Sequence, residues 1–257
     1  MKVVILAGGL GTRLMEKTES LPKPMVEIGG KPILWHIMKI YEFYGYNEFI
    51  ICLGYKSHII KNYFLNYHYN NNDITINIHE NKVEVKTSKS EKFKIILAET
   101  GLNTNTAGRL KKISNYLKDD LFLMTYGDGV SDININKLIN FHKSHGKLAT
   151  MSVTNDISQF GNLEINNSSE VTKFTEKKQN NNFINIGFFV LNKKIFEYFD
   201  KDCNKIQFEE GPLVKIQKDN QLSAYKHTGF WKCMDAIRDV NYLNELWSNN
   251  PLWKIWK

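Results

Sequence analysis

Cysteine is scarce in this chain: Cys52, Cys203 and Cys233 are widely spaced and form no Cys-x-x-Cys pair. An odd, scattered set argues against a disulfide framework and against a zinc site, and it suits the reducing cytoplasm. No stretch approaches the roughly 18 uninterrupted apolar residues needed to span a bilayer, so no membrane partner is expected. Met1-Lys2 leads straight into an apolar run and a glycine cluster without a small-residue cleavage site, so a secretory signal is not expected either. The net charge of +7 is not gathered into a basic block or helix. Nucleic acid is therefore not the expected partner, and a basic surface favours small polyanions. No internal repeat is present.

What the chain does have is 257 residues with 42% hydrophobic content, enough for the core of one large α/β domain spanning residues 1–257. Apolar runs alternate with helix-period segments: Val3–Leu6 and Phe49–Leu53 read as strands, Pro32–Tyr44 and Ser57–Leu65 as helices. Pro32 stands at a first helical turn, Ile33, Ile37, Ile40 and Tyr44 have core spacing, and Gly45 closes the helix. Such alternation implies a Rossmann-like, mostly parallel sheet covered by helices on both faces. Residues 74–98 depart from it. Ile74, Ile76, Ile78, Val83, Val85, Ile95 and Leu97 alternate with other residues, which predicts a β-rich insertion of antiparallel strands. Further helices are expected at Ala107–Leu117, Lys193–Phe199, Pro212–Lys218 and Ala236–Trp247. Further strands are expected at Leu121–Tyr126, Ala149–Thr154, Gly161–Ile165, Val171–Phe174 and Phe183–Leu191. The aromatic tail, residues 250–257, should pack on its own domain or on another subunit.

The most informative segment is the first loop, Leu6-Ala7-Gly8-Gly9-Leu10-Gly11-Thr12-Arg13. Glycines let the main chain approach a ligand and turn successive N–H groups onto phosphate oxygens. Arg13 offers a planar fork of donors and Lys23 a mobile point charge, which together suit a departing pyrophosphate. A Walker A loop is excluded, because Thr12-Arg13 stands where Lys-Ser or Lys-Thr is required. A dinucleotide fingerprint is excluded by Leu14 in place of a third glycine. An ordinary strand–turn–helix corner remains the alternative for the glycines alone.

Ligands of open α/β sheets bind beyond the carboxyl ends of the strands. The first strand ends in the glycine loop, and the strand Leu121–Tyr126 ends at Gly127-Asp128-Gly129. Asp128 is sterically open between glycines and suits a carboxylate holding Mg²⁺ against phosphate oxygens. A plain turn aspartate is the other reading.

These motifs resemble the signature of the sugar-phosphate nucleotidyltransferases. Gly8-Gly9-Leu10-Gly11-Thr12-Arg13 with Pro22-Lys23-Pro24-Met25 carries the likeness. Residues 25–39, Thr125-Tyr126-Gly127-Asp128-Gly129-Val130, Gly187-Phe188-Phe189-Val190-Leu191-Asn192, Gly229-Phe230-Trp231 and Met234-Asp235 extend it along the chain. They are similar to the branch that transfers a cytidylyl group from CTP to glucose 1-phosphate, releasing pyrophosphate and making CDP-glucose. The resemblance implies the nucleotide-diphospho-sugar transferase fold, Mg²⁺ as cofactor, and a homo-oligomer. It implies a nucleotide-binding half, residues 1–130, and an acceptor-binding and oligomerisation half, residues 131–257. Asp235 becomes a second metal ligand beside Asp128, although it could equally cap the helix that follows. Arg13, Lys23 and Asp128 become the catalytic set, and residues 6–13 the nucleotide loop. Thr104 and Arg109 join a cytosine-reading loop, with a solvated helix-start cation as the alternative for Arg109. Glu176, Lys177, Asn185 and Gly187 line the acceptor.

Three departures from the family pattern stand out: Lys178 where proline is usual, Ile186 where glycine is usual, and Ala236 where threonine is usual. Ile186 beside a ligand would shrink the pocket, unless its side chain points into the core. Glu209-Glu210 before Gly211-Pro212 read as a solvated turn. Another acceptor phosphate, UTP or dTTP as donor, and a catalytically silent nucleotide-binding subunit stay open.

Overall fold

The computed structural model describes residues 1–11, 14, 20–86, 91–155, 162–165, 171–175 and 183–256, with 162–165 and 171–175 described by backbone alone. β1 (Val3–Leu6) is buried along its length, and its side chains alternate between two cores, Val3 and Ile5 to one and Val4 and Leu6 to the other. A short hairpin of β2 (Glu27–Ile28) and β3 (Lys31–Pro32) turns on Gly29 and Gly30, both at positive φ. It leads into α1 (Ile33–Phe43), where Tyr41 takes the buried place and Tyr44 falls just beyond the helix as its C-cap.

β4 (Glu48–Leu53), α2 (Ser57–Leu65) and the single turn α3 (Tyr67–Asn70) follow. The antiparallel hairpin β5 (Asp73–Asn77) with β6 (Lys82–Lys86) is the expected insertion. β7 (Lys94–Glu99) corrects its other boundary: Ile95 and Leu97 belong to a strand that runs parallel to β4 in the main sheet. β7 is an edge strand and only partly covered, so it alternates in sequence as antiparallel strands do. α4 (Thr106–Ile113) then leads into β8 (Leu121–Tyr126).

In the second half come β9 (Gly129–Ser131), α5 (Ile135–His145), β10 (Ala149–Asn155), β11 (Asn162–Ile165), β12 (Val171–Thr175) and β13 (Phe183–Asn192). A 3₁₀ segment, Lys193–Tyr198, precedes α6 (Pro212–Lys218), β14 (Leu222–Lys226), β15 (Trp231–Cys233) and α7 (Ile237–Asn249). α5, β9, β14 and β15 are additions to the sequence reading. α5 carries both end signals, since the Asn134 side chain accepts from Lys137 N at 2.9 Å and Gly146 at φ +66° ends the helix.

Among the described residues the main sheet has seven strands in the order β14-β10-β13-β8-β1-β4-β7, of which β13 alone runs against the rest. From β1 the chain first builds outward through β4 and β7, then returns to place β8 on the opposite side of β1. That reversal opens a crevice beyond the carboxyl ends of β1 and β8, where ligands bind in open α/β sheets. β13 adds an irregularity at the same place: its register with β10 shifts between the Met151 and Val153 pairs, around Ile186-Gly187.

The tail packs on its own domain. Trp253 is fully buried, stacked on Phe230 and set against Trp247 and His36, with its Nε1 donating to His36 Nδ1 at 3.3 Å. Among the described residues no helix is long and apolar enough to cross a membrane.

Candidate active site

β1 and β8 end side by side, with Gly127 N donating to Leu6 O at 3.0 Å. A cavity of about 540 Å³ opens beyond them, lined by Leu6, Ala7, Gly8, Gly9 and Gly11 of the first loop, with Lys23, Thr104, Arg109 and Asp128. Leu10 does not line it, and its side chain is half exposed. Thr12 and Arg13 lie outside the described residues.

The glycines of the loop serve different ends. A Cβ on Gly9 would meet nothing within 4 Å, whereas a Cβ on Gly8 would lie 2.1 Å from Arg109 Nη1. Gly8 is thus bare for a buried side chain as much as for a ligand. Arg109 is only 3% exposed, which removes the solvated-cation reading. Its Nη1 donates to Leu53 O at 2.9 Å and Thr100 Oγ1 at 2.6 Å, and its Nη2 to Gly8 O at 2.8 Å. The guanidinium therefore ties the loops after β1, β4 and β7 together while its side chain also lines the cavity. Five donors in a fixed fork make arginine suited to such a knot.

Lys23 sits in a 3₁₀ turn between Pro22 and Pro24, residues that restrict the backbone on either side. Its ammonium lies 2.7 Å from Asp128 Oδ2 and 2.5 Å from Asp235 Oδ1. Burial opposes the charged ammonium, but the Asp128 carboxylate and the hydrogen bonds to both aspartates outweigh it and raise the Lys23 pKa. Asp235 reaches Asp128 because β15 pairs with β9, and Met234 N donates to Asp128 O at 2.8 Å. Capping of α7 falls to Asp239, whose Oδ2 accepts from Asp235 N at 3.0 Å and Ala236 N at 2.8 Å. Asp239 thus supplies the half of a capping box that reaches back from N3, while Asp239 N, the donor a hydroxyl at position 236 would have served, bonds to Ala236 O at 2.9 Å. Cys233 completes the group: its thiol and the two carboxylates offer ligand atoms within 4.8 Å of one another. Burial and the Asp128 charge raise the thiol's pKa, so this sulfur is a neutral neighbour.

A second cavity of about 490 Å³ adjoins the first and shares Asp128, Asp235, Tyr126, Thr106 and Gln207 with it. Its other walls include Asn185, Gly187, Glu209, Trp231 and Cys233. Asn185 Oδ1 accepts from Gly187 N at 2.8 Å and so fixes the irregular turn of β13. Ile186 is only 3% exposed and belongs to the core, although it also contributes to the wall of this cavity. Glu176, Lys177 and Lys178 lie outside the described residues. Glu209 is not a solvated turn residue: the hydroxyls of Tyr126 and Thr106 donate to it, and burial raises its pKa. The sequence signal for Glu209 was weak, an acidic pair before Gly-Pro, and its neighbour Glu210 is exposed as a turn residue should be.

Two joined cavities meeting at a pair of carboxylates suit a reaction between two substrates. The family model for nucleotidyl transferases matches residues 2–248. The chain belongs to that family. Its relatives include the glucose-1-phosphate cytidylyltransferase of Salmonella typhimurium, 48% identical over 260 residues with both chains covered in full. The probable glucose-1-phosphate cytidylyltransferase of Bacillus subtilis is 45% identical over 257 residues, again with full coverage of both. Among solved structures, HddC from Yersinia pseudotuberculosis superposes with a TM-score of 0.65 at 27% identity, covering 96% of this chain and 99% of the other. The chain is a nucleotidyltransferase, with the nucleotide-sugar transferase fold that its sequence resembles.

Proposed function

We propose that the enzyme transfers a cytidylyl group from CTP to glucose 1-phosphate, giving CDP-glucose and pyrophosphate. The observation that carries this reading is the meeting of two cavities at Asp128, Asp235 and Lys23. CTP takes the cavity beneath the glycine loop, and the sugar phosphate takes the one beside Asn185 and Gly187. Relatives at 45–48% identity over the full chain support the choice of cytidylyl group and acceptor.

The acceptor phosphate is already an anion, so it attacks the α-phosphorus without a general base and without a covalent enzyme intermediate. What the enzyme supplies is alignment and charge neutralisation. Lys23, held between two carboxylates, bridges toward the α-phosphate, and Arg13 neutralises the departing pyrophosphate. Thr104 and Arg109 position the base, while Glu176 and Lys177 complete the acceptor side. The convergence of Asp128 and Asp235 on one cationic centre fits Mg²⁺, which both aspartates would hold. When bound it supplies electrostatic stabilisation of phosphate oxygens.

In this reading residues 1–130 form mainly a nucleotide half and residues 131–257 mainly an acceptor-binding and oligomerisation half. The division is one of emphasis, because Gln207 and Asp235 reach the donor cavity while Thr106 and Tyr126 reach the acceptor one. A homo-oligomer and a cytoplasmic location belong to the same reading. The exposed side chains of Ile74, Ile76 and Val83 on the β5–β6 hairpin support self-association.

Pyrophosphate release across a panel of triphosphates and sugar phosphates tests the assignment. CTP with glucose 1-phosphate should be the most productive pair. Absence of release from CTP with any acceptor would overturn the cytidylyl reading, and release with a different hexose 1-phosphate would correct the acceptor alone.

A further inference from the structure

Among the described residues three carboxylates line the second cavity, and they are held differently. Asp128 and Asp235 face the Lys23 ammonium. Glu209 is held by neutral groups: one oxygen accepts from the Tyr126 hydroxyl, the other from Thr106 Oγ1 at 3.2 Å. Its backbone is fixed as well, in part through the same Thr106 hydroxyl. Phe208 N donates to Thr106 Oγ1 at 2.7 Å, Gly211 N to Gln207 O at 3.0 Å and Leu213 N to Phe208 O at 2.9 Å. Tyr126 is fixed in turn by the glycine opposite it. Gly187 has φ +82°, and a Cβ there would lie 2.5 Å from Tyr126 Cδ2. The ring therefore rests against bare backbone, with its hydroxyl aimed at Glu209.

A carboxylate has about four acceptor positions, and the two hydroxyls together with the residue's own backbone N–H occupy three of them. The last remains for a donor inside the cavity. An anion repels the acceptor's phosphate, so the group that meets Glu209 is the neutral ring, whose hydroxyls are donors. Desolvation disfavours the Glu209 charge, and a hydroxyl donated by the ligand offsets that cost.

We propose that Glu209 is a specificity-determining residue, accepting a hydrogen bond from a ring hydroxyl of the hexose 1-phosphate, and that Tyr126 and Gly187 position it for that contact. The inference rests on reading this cavity as the acceptor pocket. Hydrogen bonds to charged groups are the strong class, so losing this one should cost about 10- to 100-fold in kcat/KM.

The test compares glucose 1-phosphate with its 2-, 3-, 4- and 6-deoxy analogues in the wild-type chain, Glu209→Ala and the near-isosteric Glu209→Gln. In the wild type one deoxy analogue should lose about 10- to 100-fold in kcat/KM, mostly through KM. In Glu209→Ala that penalty should shrink to about threefold or less, in Glu209→Gln it should be intermediate, and the KM for CTP should not move. Tyr126→Phe should reduce the same penalty while leaving those of the other analogues unchanged. The inference is overturned if no deoxy analogue is penalised in the wild type, or if the penalties persist in Glu209→Ala. It is equally overturned if the variants change the KM for CTP and leave acceptor selectivity alone. Should the wild type use a different hexose 1-phosphate, the proposed acceptor fails while the deoxy series of that hexose still tests Glu209. Should Glu209→Ala not fold, Glu209→Gln and the wild-type series decide the matter.

Discussion

The two cavities share a pair of carboxylates, yet they are built from different material. The first is built on the backbone of a glycine loop following β1, tied to its neighbours by one buried guanidinium, with Lys23, Thr104 and Asp128 around it. The second is mainly side chains from separate segments, with Asn185, Glu209 and Trp231 converging from β13, a turn and β15. A glycine loop holds a triphosphate without distinguishing its base, because phosphate oxygens look alike to N–H groups, so the choice of base falls to side chains such as those of Thr104 and Arg109. A side-chain pocket can distinguish one sugar from another, because each hydroxyl needs its own partner. The division of labour between a common donor group and a particular acceptor follows from that contrast.

The sharpest way to break the comparison is at the residues belonging to both cavities. Asp128→Asn keeps the shape and removes the charge, and kcat should fall about 1000-fold while CTP still binds in a direct titration. A loss confined to one substrate's KM would instead place Asp128 in one cavity only.

Arg109→Ala acts on the donor side alone. It removes three hydrogen bonds donated by a buried charged group, although Leu53 O keeps Thr100 N and Gly8 O keeps Tyr55 N, and should cost about 3 kcal/mol in a urea melt. The KM for CTP should rise with that of the sugar phosphate unchanged. An unaltered melting curve would show that Arg109 is not the knot of these loops.

Outside both cavities lies His36, buried under the aromatic tail and held neutral. Desolvation lowers its pKa from 6.5 to about 4, against the hydrogen bonds that it makes to backbone. The unfolded chain takes up this proton below about pH 6.5 and the folded chain only below about pH 4. The contribution is therefore complete above pH 6.5 and lost as pH falls to 4, on the order of 3 kcal/mol. His142, buried beside His145, is displaced to about 4 in the same sense, mainly by desolvation. Equal stability at pH 7 and pH 4.5 would contradict both assignments.

The smallest effect is expected from Gly187→Ala, which displaces the Tyr126 ring, a wall of both cavities, and should raise the acceptor KM roughly tenfold and the CTP KM by less. A larger change in the CTP KM would contradict the placing of Gly187 on the acceptor side.

The same contrast explains what could be read in advance. That Leu6 to Gly9, Gly11, Lys23 and Asp128 gather around one cavity was legible, because a phosphate cradle needs a run of glycines at a strand end, whereas Leu10 in the same run turns away from it. The sheet was legible for a similar reason, as each buried strand is a local apolar run. β7 misled because a partly covered edge strand alternates as antiparallel ones do. Glu209 and Tyr126 were not legible as a pair, since they stand 83 residues apart and nothing local marks a carboxylate that folding will bury. The second role of Gly8, making room for a guanidinium 101 residues away, was hidden in the same manner.

The central claim is that the two cavities form one site, in which the sugar phosphate attacks the nucleotide's α-phosphorus directly. A single chirally labelled CTP, substituted with sulfur at the α-phosphorus, tests it through the configuration of the nucleotide sugar formed. One in-line displacement inverts that centre, and inversion is the predicted result. Retention would require two successive displacements through a covalent enzyme intermediate and would contradict the account.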